Sequence, residues 1–197
     1  MKTNVDLRLS LRRAALTLAL ACALAPAAHA ANSASGDIAL LLEAVKSGRA
    51  EVVAMLVRSG VDVNAAMVGE GSALISAARL GDAAMVTELL RLGADVNRGA
   101  DGDGTPLIAA AAKGDVAIAR QLLKAGARVN QVMPGDETAL INAARNGELE
   151  LVKLLVNAGA DVNLGADANN DKPEWRTPLN QAASGDIRKY LASKGAR

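Results

Sequence analysis

Between Thr105 and Asn130 the apolar positions fall into two short helical sets separated by a glycine. Leu107 to Ala112 supply a narrow apolar face of small residues. Thr105 is placed to cap this first helix, and Pro106 occupies its first position, where a missing N–H is harmless. Gly114 breaks the helix and Asp115 is placed to cap a second one. There Val116, Ile118, Leu122 and Leu123 recur at helical spacing until Gly126 ends the helix in a left-handed conformation. Val129-Asn130 then turns into a loop. The pattern predicts one unit of helix, turn, helix and projecting loop.

The unit recurs. Asn64, Asn97, Asn130 and Asn163 are each 33 residues apart, as are Gly60, Gly93, Gly126 and Gly159, and as are Gly48, Gly81, Gly114 and Gly147. Ser72, Thr138 and Thr177 stand where Thr105 does, and Asp82, Glu148 and Asp186 where Asp115 does. One such helix pair cannot bury its own apolar face, so the units are expected to stack into an all-α solenoid of helix-turn-helix units with projecting loops, the first helices lining its concave side.

These motifs resemble the ankyrin repeat family. The likeness rests on Thr105-Pro106-Leu107 and Thr177-Pro178-Leu179, on the alanine pairs at 77-78, 110-111, 143-144 and 182-183, and on the Gly-Ala-Asp-Val-Asn runs ending at Asn97 and Asn163. It covers residues 36–197, read as repeats at about 36–64, 69–97, 102–130 and 135–163 and a shortened C-terminal cap at 174–197. The first repeat lacks the Thr-Pro start. In the cap, Gly185 to Gly195 spans ten residues where Gly147 to Gly159 spans twelve, which places the shortening in the second helix. Three full repeats then lie between two modified ends. Where the family has His after Thr-Pro-Leu, this chain has Ile75, Ile108, Ile141 and Asn180, so apolar packing is expected to replace histidine-mediated bonds between repeats. The Gly-Asp/Glu-Gly-Ser/Thr loops followed by Leu-Ile are also similar to ankyrin tails of exported or membrane-bound bacterial proteins.

The N-terminal thirty residues read differently. Lys2, Arg8, Arg12 and Arg13 precede an apolar run from Ala14 to Ala25, and Ala28-His29-Ala30 forms a small-x-small site, so residues 1–30 are expected to be a secretory signal and 31–35 a short linker. A twelve-residue run is shorter than the roughly 20 residues that span a bilayer. Arg12-Arg13 lacks the bulky aromatic of a twin-arginine signal, and Ala19-Leu20-Ala21 is a poor lead-in for lipid attachment at Cys22, which leaves lipid anchoring as the alternative. The protein is expected to be periplasmic or secreted. Removing Asp6 and the four basic residues takes 22 basic and 21 acidic residues to 18 and 20.

Composition then narrows the chemistry. Cys22 and His29, the single Cys and His, both lie in the expected signal, so the remaining chain has no thiol or imidazole for disulfides, nucleophiles, catalytic triads or Cys/His metal sites. Aromatics make up 1% of residues and the charge is nearly balanced, which argues against nucleic acid. Asp101-Gly102-Asp103-Gly104 opens like a calcium loop, but its twelfth position is Ala112 and not Glu. No catalytic residue, cofactor or metal is expected.

The resemblance implies partner binding in the concave groove. Lys46, Arg79, Lys113 and Arg145, just before the helix-breaking glycines, would form a basic floor. Glu70, Asp101, Asp103, Asp136 and Glu137 would form acidic fingers opposite. This reads either as a groove that steers a charged partner or as solvated helix ends whose cations favour the helix dipole. Met67-Val68 and Val132-Met133-Pro134 give two neighbouring fingers apolar tips, either packed loop on loop or forming a contact surface. From Asn163 to Thr177 is fourteen residues where Asn130 to Thr138 is eight, and this longer loop carries Trp175, either an interface anchor or a residue packed on the Met133-Pro134 finger. The expected function is a monomeric, non-enzymatic module binding another protein. The alternatives are an inhibitor, immunity or protective accessory of one exported enzyme, or a lipid-anchored envelope accessory. Reversing Arg79 and Arg145 to Glu is expected to weaken binding and spare the fold, because both side chains should be exposed.

Overall fold

The computed structural model describes residues 30–165 and 176–197, with side chains from residue 35 onward. The expected signal segment with Cys22 and His29, and Trp175 with most of its loop, lie outside the described residues. The chain divides into two compact units, Met1–Gly36 and Asp37–Arg197, and the second holds the repeats. Helix α1 runs Ala30–Lys46, so the backbone of 31–35, expected as a linker, is helical. Next come α2 (Ala50–Arg58), β1 (Ala66–Met67), β2 (Gly71–Ser72), α3 (Ala73–Leu80), α4 (Ala83–Arg91), α5 (Pro106–Lys113), α6 (Val116–Lys124), α7 (Ala139–Arg145), α8 (Leu149–Asn157) and α9 (Gly185–Ser193).

Local chemistry sets these boundaries. The hydroxyls of Ser72, Thr105 and Thr138 accept bonds from the backbone N–H of Ile75, Ile108 and Ile141, at 3.4, 3.2 and 3.0 Å. Asp82 and Asp115 cap α4 and α6 in the same way, each at 2.9 Å. Glu148 holds the corresponding position of α8 but makes no capping bond. Between the two helices of each pair, Gly48, Gly81, Gly114 and Gly147 take φ of 66 to 83°, a conformation that side chains with a Cβ rarely adopt.

The first helices α3, α5 and α7 pack side by side, as do the second helices α4, α6 and α8. Ala77, Ala78, Ala110, Ala111, Ala143 and Ala144 are wholly buried, because only methyl-sized side chains fit where the first helices meet. The second helices contribute larger anchors: Met85, Val86 and Leu89 from α4, Ile118 and Leu122 from α6, and Leu151, Val152 and Leu155 from α8. Each fully buried side chain of this size stabilises the stack by about 1.5–3 kcal/mol. Ile75, Ile108 and Ile141 are buried as well. They replace the expected histidine bonds with packing beneath the loops, and a Cβ on Gly71 or Gly104 would meet Ile75 or Ile108 at 2.9 or 3.0 Å.

The asparagine ladder supplies a recurring set of hydrogen bonds between repeats. The side-chain oxygens of Asn64, Asn97, Asn130 and Asn163 accept from the backbone N–H of Asp95, Arg128, Asp161 and Arg197 in the following repeat, at 2.7 to 2.9 Å. The amides of Asn97, Asn130 and Asn163 also donate to the carbonyls of Gly126, Gly159 and Gly195, at 3.1 to 3.2 Å. Asn97, Asn130 and Asn163 thus each satisfy a donor and an acceptor that the ends of the neighbouring helix pair leave open, and Asn64 a donor.

The C-terminal cap corrects one expectation. Its second helix, α9, is full length and is capped by Ser184 (3.3 Å to the Ile187 N–H), while Asp186 lies in its first turn. The shortening falls in the first helix. Thr177 to Ser184 is seven residues where Thr105 to Asp115 is ten, and the backbone of 178–181 forms turns. Thr177 and Asn180 exchange side-chain-to-backbone bonds of 2.9 and 3.2 Å in a reciprocal cap. Ala183 then donates its N–H to the Ala144 carbonyl at 2.9 Å, tying the shortened turn to the preceding repeat.

Removing one rung of the ladder tests its weight. Asn97→Ala should lower stability by about 1–3 kcal/mol, two bonds at about 0.5–1.5 kcal/mol each. Urea unfolding should show a lower midpoint with an unchanged helical signal in the native baseline.

Candidate functional site

The turn glycines bring Lys46, Arg79, Lys113 and Arg145 to the ends of α1, α3, α5 and α7. Above them stand three loops. The first is the β1–β2 hairpin, with Ala66 opposite Ser72 and Met67 opposite Gly71. The second is closed by an antiparallel bridge between Ala100 and Gly104. The third is closed by the Asp136 N–H on the Met133 carbonyl at 3.0 Å.

Basic and acidic rows clasp each other across repeats. Lys46 Nζ lies 2.7 Å from Glu70 Oε2, and Arg79 lies 2.7 Å from Asp103 Oδ1. In both cases the cation at the end of one first helix reaches the loop 24 residues later, in the next repeat. The third step departs from this pattern, because the 33-residue positions hold Ala112 and Asp136 and Lys113 stands one residue further on. Glu137 is 24 residues beyond Lys113, yet it pairs with Arg145 of its own repeat and with Arg176 of the next, the latter at 2.6 Å. Lys113 makes no ion pair among the described residues and is exposed.

Burial is uneven within these pairs. The side chains of Asp103 and Glu137 are 6% exposed, whereas those of Arg79 and Arg145 are 46% and 40% exposed. The carboxylates are therefore held inside the loop bases, and the guanidiniums that neutralise them face the solvent. Burial pushes the pKa of Arg145 down from its ordinary value, and the neighbouring Arg176 charge adds to the shift. Asp136 is raised, chiefly by burial, with Asp103 and Asp101 adding repulsion against a stabilising Gly104 N–H. Asp103 Oδ2 and Asp136 Oδ2 are both buried without a hydrogen-bond partner. Asp101 is exposed and makes no ion pair among the described residues.

Between the second and third loops lies a cleft of about 680 Å³, lined by Arg79, Lys113, Asn142, Arg145 and Arg176 with Asp103, Asp136 and Glu137. A smaller hollow of about 320 Å³ lies beside it, between Lys46, Glu70, Arg79 and Leu80. The apolar loop tips divide into two kinds. Val68 is fully exposed and Val132 partly so, while Met133 packs against Gly99 so closely that a Cβ there would meet its sulfur at 2.4 Å. Met133 therefore joins two loops within the chain. Sequence reasoning missed Arg176 and Asn142, because both enter the cleft only through stacking. No three His, Cys, Asp or Glu side chains among the described residues gather as a metal site. No helix among the described residues is long and apolar enough to cross a membrane.

A stack of capped helix pairs with loops overhanging the ends of its first helices defines a repeat solenoid. The family model for ankyrin repeats matches at residues 41–133, 74–166 and 107–197, and the chain belongs to the ankyrin repeat family. Ankyrin repeats are in general protein–protein interaction modules. Comparison with curated proteins gives no match.

The ion pairs change what charge reversal should do. Although Arg79 and Arg145 are exposed as expected, reversing either leaves a buried carboxylate facing a like charge. Arg145→Glu should therefore destabilise the fold by about 1–3 kcal/mol, while Lys113→Glu should stay within about 0.5 kcal/mol of the parent chain. Thermal melts of the two variants check this: the first should lose several degrees and the second almost none.

Proposed function

We propose that the chain is an exported, non-enzymatic ankyrin repeat protein that acts by reversibly binding another protein in the groove between its loops and the ends of its first helices. The observation that carries this reading is the charged cleft beside Lys113. Its walls are fixed by ion pairs, yet one floor cation and one finger acid, Lys113 and Asp101, remain exposed and unpaired among the described residues. Pre-set charges of this kind steer a complementary partner and fix its register without a large ordering cost. Export rests on the basic N-terminal residues, the apolar run and the Ala28-His29-Ala30 site. The nature of the groove residues supports binding over catalysis, since carboxylates committed to guanidiniums are poor general bases.

Affinity capture from an envelope extract, using the chain as purified from its full-length gene, tests the groove. Lys113→Glu and Asp101→Lys serve as fold-preserving comparisons. A protein retained by the parent chain and depleted by at least one variant is the expected result. Retention of the same set by all three would refute groove binding.

A further inference from the structure

We infer that the cleft between the second and third loops receives an acidic segment of the protein partner, with a partner carboxylate seated among Lys113, Arg145 and Arg176. The inference rests on the groove reading above and specifies the sign of what enters. Four cations, Arg79, Lys113, Arg145 and Arg176, and three carboxylates, Asp103, Asp136 and Glu137, line the cleft. Arg79 is matched by Asp103. Glu137 is shared between Arg145 and Arg176, so two guanidiniums depend on one carboxylate. Lys113 makes no ion pair among the described residues: it stands one residue past the 33-residue position, and Glu137 is held by the two arginines.

Of the acids that line the cleft only Asp136 is left to balance these charges. Burial raises its pKa, the Gly104 N–H opposes this, and the Asp103 and Asp101 charges add to the rise. Four cations against three carboxylates leave the lining short of negative charge by one unit, and Arg145, whose pKa is lowered by burial, is also crowded by Arg176. A carboxylate entering from outside would relieve that repulsion and give Lys113 the partner its position lacks. The guanidinium forks of Arg145 and Arg176 suit a planar carboxylate. The interleaved Asp101 and Asp136 favour separate carboxylates on a peptide over the continuous charge of a nucleic-acid backbone.

Capped tetra-glutamate, tetra-lysine and tetra-glutamine peptides are suitable probes. Each would be titrated at low salt into the isotope-labelled full-length chain, with backbone amide shifts followed by NMR. Tetra-glutamate should move the amides of Lys113, Arg145 and Arg176 saturably and lose its effect at high salt, and tetra-glutamine should not move them. Lys113→Gln, which breaks no ion pair, should weaken the tetra-glutamate affinity about twofold to fivefold, the range of exposed charge pairs. Movement of the same amides by tetra-lysine alone would overturn the acidic assignment and leave the groove reading standing. Tetra-glutamate shifts that miss these residues, or no shifts, would overturn it equally. The groove reading falls separately, on a captured partner indifferent to Lys113→Glu and Asp101→Lys.

Discussion

Asn64, Asn97, Asn130 and Asn163 reach from each repeat into the backbone of the next, and the remaining structure depends on the spacing they enforce. A single helix pair here has an alanine-rich first helix and a second helix with three or four large apolar residues, too little to be stable alone. Stability arises at the contacts between neighbours, where the wholly buried alanine pairs let first helices approach closely. Close approach is useful only in one register. The asparagines fix that register, Asn97 and Asn130 by satisfying one donor and one acceptor each at the same offsets, 31 and 29 residues on.

Once the register is fixed, the charged face follows from it. A 33-residue period lines up Lys46 with Arg79 and Glu70 with Asp103, and each of these cations meets the acid 24 residues later. The first two steps obey this rule and close ion pairs that hold the loops over the helices. The third departs from it because the periodic positions hold Ala112 and Asp136, while Lys113 stands one residue further on and Glu137 is shared by Arg145 and Arg176. This one-residue offset accompanies the unpaired Lys113 that lines the cleft.

Much of the fold was legible in the sequence because it is local. The caps at Ser72, Thr105 and Thr138 bond three residues ahead, and the turn glycines answer a backbone requirement at their own position. The asparagine ladder was visible as a spacing but not as a set of bonds, since its partners lie 29 to 34 residues away. The C-terminal cap was misjudged because Gly185 resembled the helix-breaking glycines, whereas it occupies the first turn of α9 and Ser184 is the cap. The charge rows were legible as rows. Their pairing was not, because Glu137 could equally have met Lys113, and only the stacked geometry decides between them. The sequence left Met133 between loop packing and a contact surface for the same reason: its contact, Gly99, belongs to another repeat.

The central claim is that the face built from loops and first-helix ends, and not the outer face of second helices, receives a protein partner. Amide hydrogen exchange of the full-length chain with and without its captured partner tests this most directly. The account predicts slower exchange on binding in the loops at 100–104 and 133–137, with α6 and α8 unchanged. Slowing confined to α4, α6 and α8, with those loops unaffected, would contradict it.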